Sequence, residues 1–153
     1  MNILQTVKDA AIRLLKDHDL EADVYGEEII RTDNTLDTGD RDDRKWYFVE
    51  VIPTSFTTIS PLQTEVSLTI SIDYYEPGES IRQYGQKAVD LDDVIRPVFR
   101  FEADGEARGI TVSRVNINIS GGLLHVTFPL IFLVSDDGPD LPAMEGLEII
   151  GKG

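Results

Sequence analysis

The stretch from Thr64 to Phe99 constrains this chain more than any other, because its apolar period changes once, at a turn. Val66, Leu68, Ile70, Ile72 and Tyr74 alternate with Glu65, Ser67, Thr69, Ser71 and Asp73. A period of two over that length predicts a strand with one buried face and one face in water or against a partner. Glu76-Pro77-Gly78-Glu79-Ser80 ends it, since proline fixes φ and glycine admits turn conformations closed to other residues. Beyond the turn Ile81, Tyr84, Ala88, Leu91 and Ile95 recur three or four apart, the stripe of a helix lying on a sheet. The strand's apolar face needs a cover, and this helix is the nearest one.

The rest of the chain reads as more sheet, a second cover, or loop. Asn2 is placed to cap a first helix running to about Asp17, with Ile3, Val7, Ala11, Leu14 and Leu15 on one face. His18 follows at its C-terminal end, where the helix dipole favours a partly positive imidazole; a surface helix-end residue is expected there, not a ligand or base. Ala22 to Ile30 reads as a short strand, and Arg31 to Lys45 as a polar surface loop with only Leu36 to bury. Asp37, Asp40, Asp42 and Asp43 lack the spacing of a calcium loop and its closing glutamate, so a solvated acidic loop is expected and no metal.

Lys45 to Ile52 predicts a strand with Trp46, Phe48 and Ile52 on one side and Tyr47, Val49 and Val51 on the other, apolar on both faces like a strand inside a covered sheet. Pro53 to Gln63 reads as a Thr/Ser-rich loop at the tip of a long hairpin. Its Phe56, Ile59 and Leu62 either fold back on the body or await a partner.

Pro97 is expected to end the second helix. Phe99 and Phe101 then alternate into a turn-rich stretch, Ala103 to Gly109. The apolar phase of Ile110 and Val112 slips before resuming at Val115, Ile117 and Ile119, the trace of a bulge or break near Ser113-Arg114. Ser120-Gly121-Gly122 signals a hairpin, and Leu124, Val126, Phe128, Leu130, Phe132 and Val134 form the return strand. Pro129 puts that point of it at an edge or bulge, and His125 lies on its other face. Asp136 to Gly153 reads as a flexible C-terminal tail whose one sticky patch is Leu147, Ile149 and Ile150. The expected fold is a single α+β domain over residues 1–135: a mixed, mainly antiparallel sheet of about five strands covered by two helices.

The 153 residues suffice for a core without disulfides or metal, and the absence of cysteine removes thiolate chemistry and zinc-thiolate sites. No signal-peptide pattern and no apolar run of membrane-spanning length occurs, so a soluble protein made inside the cell is expected. The net charge of −14 argues against gripping phosphates or anionic membranes. It suits solubility by self-repulsion, or a surface past which DNA slides without sticking. No serine sits in a nucleophile elbow, and no glycine-rich loop joins a strand to a helix. Glu50, among apolar neighbours, is the one carboxylate in a setting that would perturb it, and a paired structural charge or interface contact is its expected role. No catalytic residue and no cofactor are expected.

The order helix, short strand, acidic loop, long hairpin, helix, hairpin resembles the tail terminator (tail-completion or head–tail joining) proteins of tailed phages and phage-like particles. The residues that carry the resemblance are Val24-Tyr25-Gly26-Glu27-Glu28 and Tyr47-Phe48-Val49-Glu50-Val51. With them go Leu68-Thr69-Ile70-Ser71-Ile72-Asp73-Tyr74-Tyr75 and Gly122-Leu123-Leu124-His125-Val126-Thr127-Phe128. It extends to about Ser135; the acidic loop is longer than the pattern needs and the tail has no counterpart. The resemblance implies a structural virion protein, not an enzyme. It would form a ring, typically of six copies, at the head-proximal end of the tail tube and assemble in the host cytoplasm. Its partners would be itself, the tube protein, and the head–tail connector or sheath protein. DNA would at most cross the lumen without specific binding, and no membrane is involved. Phe56, Ile59 and Leu62 are the expected contact residues, with Leu147, Ile149 and Ile150 as a second set. The competing readings are a non-catalytic protein-binding adaptor of similar fold outside a tail, with a pocket, and an enzyme with a cleft around Glu50 or His125.

Overall fold

The computed structural model describes residues 3–26, 44–78, 81–103 and 105–135. Helix α1 (Ile3–His18) is followed by strands β1 (Asp23–Tyr25), β2 (Trp46–Ser60) and β3 (Gln63–Tyr75), helix α2 (Ile81–Ile95), then β4 (Val98–Ala103), β5 (Glu106–Thr111), β6 (Asn116–Ser120) and β7 (Leu123–Ser135). The fold is α+β: a mixed five-stranded sheet in the order β1-β2-β3-β7-β6, a separate two-stranded sheet β4-β5, and two helices. Among the described residues only the β1–β2 pair is parallel. Asn2, Glu27 to Ile30, most of the acidic loop and the segment from Asp136 onward lie outside the described residues.

β3 is the spine. Val66, Leu68, Ile70, Ile72 and Tyr74 are all buried, as the period of two requires, and β3 pairs along its length with β2 on one side and β7 on the other. β7 buries Leu124, Val126, Phe128, Leu130 and Phe132 onto the same face. The cover comes from Val7, Ala11 and Leu15 of α1 and Tyr84, Ala88, Leu91 and Ile95 of α2. The two helices do not suffice. The β4–β5 hairpin completes the cover, stacking Phe99 on Phe128 (centroids 5.8 Å apart) and Phe101 on Phe132 (5.3 Å). The stretch Ala103 to Gly109, expected to be turn-rich, is therefore mostly strand. Its alternation is hidden because β5 carries Arg108 where an apolar residue would show the period, and that guanidinium packs 5.5 Å from the Phe132 ring.

The expected break near Ser113-Arg114 is present, as residues 112–115 separate β5 from β6. The β6–β7 turn is a two-residue loop, with Ser120 paired to Leu123 and positive φ at both Gly121 (62°) and Gly122 (78°). A turn of that shape is closed to side chains with a Cβ except at a cost, which is why glycine occupies both places. Pro129 lies past the end of β6, whose last partner on β7 is Thr127, so its missing donor falls where no β6 strand waits for it. α2 ends at Ile95, before a cis Arg96–Pro97 bond.

One face of the five-stranded sheet is thus buried and the other carries no covering element among the described residues. Trp46, Phe48 and Ile52 of β2 point to that open face, where Trp46 and Tyr75 rings lie 5.7 Å apart. β2 is apolar on both sides without being covered on both. Its second apolar row is half-buried or exposed surface.

Candidate interaction surface

The segment expected to be a loop, Pro53 to Gln63, is the outer half of the β2–β3 ribbon. Hydrogen-bonded pairing continues to Ser60–Gln63 and closes on Pro61 and Leu62 alone. Threonine and serine mark it as a loop only when turn residues accompany them, and threonine is also a good strand former. Two irregularities interrupt the register, between Pro53 and Ser55 and between Thr58 and Ser60. The first is pinned by Thr54, whose hydroxyl donates to the Ser67 carbonyl at 2.9 Å. The extra residue shifts the alternation by one, so that Phe56, not Ser55, stands opposite Val66 on the helix-side face.

Every residue from Ile52 to Ile59 is exposed. Phe56 keeps 58% of its surface in water and Ile59, the residue of the second bulge, 52%. Leu62 is half-buried in the turn. On the open face of the same end stand Ile52 (41% exposed), Ile131 (55%) and Leu133 (42%). Ile131 pairs with Ser67 and Leu133 with Glu65. The end of the ribbon is apolar on both faces, and residues 51–64 carry no charged side chain in a chain of net charge −14. Ile131 and Leu133 were legible in principle. Leu130 to Val134 is an unbroken apolar run, the pattern of a strand with a use for both faces.

The ribbon's outer edge is blunted. Proline at position 53 and the two bulges interrupt the row of backbone donors on β2, a common defence against edge-to-edge pairing. Contact through side chains is therefore the mode this end favours.

At the opposite end of the molecule an ionic network ties both helices to β2. Asp19, just past α1 and only 8% exposed, accepts from Lys45 Nζ at 3.2 Å, Lys87 Nζ at 3.3 Å and the Tyr47 hydroxyl at 3.1 Å. Burial alone raises a carboxyl's pKa. Here the hydrogen bond from Lys45 and the charges of Lys87 and Lys45 outweigh it and hold Asp19 below the ordinary aspartate value. Lys87 also lies 4.8 Å from the Tyr74 ring centroid. Burial and the neighbouring Asp19 push the Tyr47 hydroxyl far up, and burial with the Glu76 hydrogen bond does the same to Tyr74, so both stay protonated. His18 departs from expectation. It sits at the helix end as foreseen, but burial first and Lys87 second lower its pKa, and the neutral imidazole is the favoured form.

Of the residues weighed for catalysis, Glu50 lies on the open face opposite Ser71, and His125 stands opposite Asp73 with Nδ1 2.6 Å from its carboxylate. The His125 Nε2 faces the Ser120 carbonyl at 3.3 Å, so both ring nitrogens are engaged with protein acceptors. Two of the grooves among the described residues adjoin the helices. One, of about 470 Å3, lies between α1 and β4 and is lined by Leu14, Val98 and Phe101 together with Arg13, Asp17, Arg100 and Glu102. The other, of about 390 Å3, lies between α2 and the start of β6. Among the described residues no group of three or more potential metal ligands occurs, and no helix is long and apolar enough to cross a membrane. Leu147, Ile149 and Ile150 lie outside the described residues.

No family model matches the chain, and no curated protein sequence does either. One solved structure aligns with 87% of this chain and 92% of its own length at 16% identity, with a TM-score of 0.48. A likeness that distant carries no argument about what this protein does. What the structure defines is an α+β protein with an open sheet face and an uncharged, apolar ribbon end.

Proposed function

We propose that this protein is a structural component of a phage or phage-like tail: a terminator that rings the head-proximal end of the tail tube, stops its growth and presents a surface to the head connector or sheath. The observation that carries the reading is the ribbon end, where Phe56, Ile59, Ile131 and Leu133 stand exposed and residues 51–64 carry no charge. An acidic chain meets copies of itself and its partners more easily through a region that contributes nothing to self-repulsion. The sequence resemblance to tail terminators supports the same role and supplies the ring, typically of six. The acidic balance suits a lumen through which DNA passes without binding. In a particle lacking the native protein, supplying a Phe56→Asp/Ile59→Asp variant should fail to restore tails of normal length. Restoration as complete as by the native chain would remove the ribbon from the contact and with it the support for this reading.

A second reading, a protein-binding adaptor outside any tail, has the groove between α1 and β4 in its favour. Its volume of about 470 Å3 is that of a ligand-sized cleft, and aliphatic and aromatic side chains line it beside Arg13, Asp17, Arg100 and Glu102. Replacing Leu14 with Asp in that groove separates the two. The adaptor reading expects partner binding to be lost with tail length unaffected.

A further inference from the structure

The groove between α2 and the start of β6 is lined by Val89, Val115 and Ile117 together with Asp92, Arg96 and Arg114. Val89 is 53% exposed and Ile117 44%, so two large aliphatic side chains face water side by side at one seam. Arg96 is held by a twofold contact with Asp92, at 2.5 and 2.8 Å. Arg114 makes no ion pair with any described residue. With Asp92 matched to Arg96, Arg114 leaves this apolar groove one uncompensated positive charge on a molecule of net charge −14, and a segment that complements it is apolar with an acidic side chain beside the apolar ones.

The chain itself contains one. After Ser135 come Asp136, Asp137, Asp140, Glu145 and Glu148 against the single cation Lys152, and Leu147, Ile149 and Ile150 lie among the last of these acids. We propose that the groove between α2 and β6 seats the chain's own segment Leu147–Ile150, its aliphatic side chains covering Val89 and Ile117 and its Glu148 facing Arg114. The reach allows it. β7 pairs with the start of β6 at Thr127, eight residues before Ser135, a return distance of about 26 Å at the rise of a strand. The twelve residues from Ser135 to Leu147 span up to about 40 Å when extended. Tethering makes the contact intramolecular, with an effective concentration on the order of millimolar, so a modest patch suffices. The inference is independent of the role in a tail.

The absence of cysteine makes the test direct, since any disulfide formed is one that was introduced. In the full chain, Ile149→Cys is combined with Ile117→Cys or Val89→Cys in the groove, or with Ile131→Cys on the open sheet face as a control of equal exposure. Disulfide formation in dilute solution is followed by mobility on a non-reducing gel. The groove pairs should close within single chains at least about tenfold faster than the control pair. Adding Arg114→Glu to a groove pair should bring its rate down to that of the control. Equal rates for groove and control pairs would overturn the proposal. Disulfides found only between chains would overturn it in favour of a second copy's segment, and a rate indifferent to Arg114→Glu would remove the charge match on which the choice of occupant rests.

Discussion

Asp19 gathers two lysines and a tyrosine onto one carboxylate that water barely reaches. Removing its charge leaves Lys45 and Lys87 partly buried and uncompensated, and this asymmetry governs the cost more than the worth of the pairs themselves. Asp19→Asn should destabilise the protein by about 3 kcal/mol, read as a shift in urea midpoint at unchanged slope. The network also sets how stability responds to pH. The native-state pKa of Asp19 lies below its ordinary value of 3.8, so the stability it contributes is present above that value and lost as pH falls further. His18 acts higher on the scale. Its native pKa lies below 6.5, so under mild acid the unfolded chain binds the proton more readily, and stability declines as pH drops from about 6.5. Thermal melts between pH 7.5 and 5 should show that decline, and His18→Gln should flatten it. A slope unchanged by His18→Gln would place the titration elsewhere.

At the scale of the element, β3 and β7 carry the core and the turns carry the register. Phe128 is 1% exposed and stacks on Phe99, so Phe128→Ala should cost about 4 kcal/mol by chemical denaturation. The ribbon end behaves differently. Phe56 and Ile59 leave most of their surface in water, so Phe56→Ser with Ile59→Ser should change monomer stability by no more than about 0.5 kcal/mol. A large loss in the same denaturation experiment would mean that they support the fold and are not held for a partner. This contrast explains what the sequence could and could not disclose. The even-numbered face of β3 and β7 was legible because a half-buried strand writes its burial as strict alternation. The ribbon end was not, because nothing covers it to impose a period, and the bulge at Thr54 shifts the phase of the one apolar residue, Phe56, that would have continued it. β5 was hidden for a related reason: a two-stranded sheet laid over a core shows few apolar residues of its own, and Arg108 fills a place where its stem packs and its charge misleads. Leu62 was placed with Phe56 and Ile59 by proximity in sequence, but the tight turn leaves it half-buried.

For the molecule as a whole, the divisions of labour lie at opposite ends. The helices and the Asp19 network close one end, and the sheet runs out from them into a ribbon that is apolar on both faces and uncharged along residues 51–64. Of the residues weighed for catalysis, His125 is engaged at both nitrogens and Glu50 stands on an open face. The candidate surface was half legible: its residues Phe56 and Ile59 were named by their apolar character in a polar stretch, whereas Ile131 and Leu133, brought beside them by pairing with β3, required the fold. A surface of this kind suits assembly, and the assembly we propose ends a tail tube. Electron microscopy of particles from a strain lacking this gene tests it most directly. Tails of irregular and excessive length without joined heads are expected, while joined, infective particles with tails of normal length would overturn the proposal.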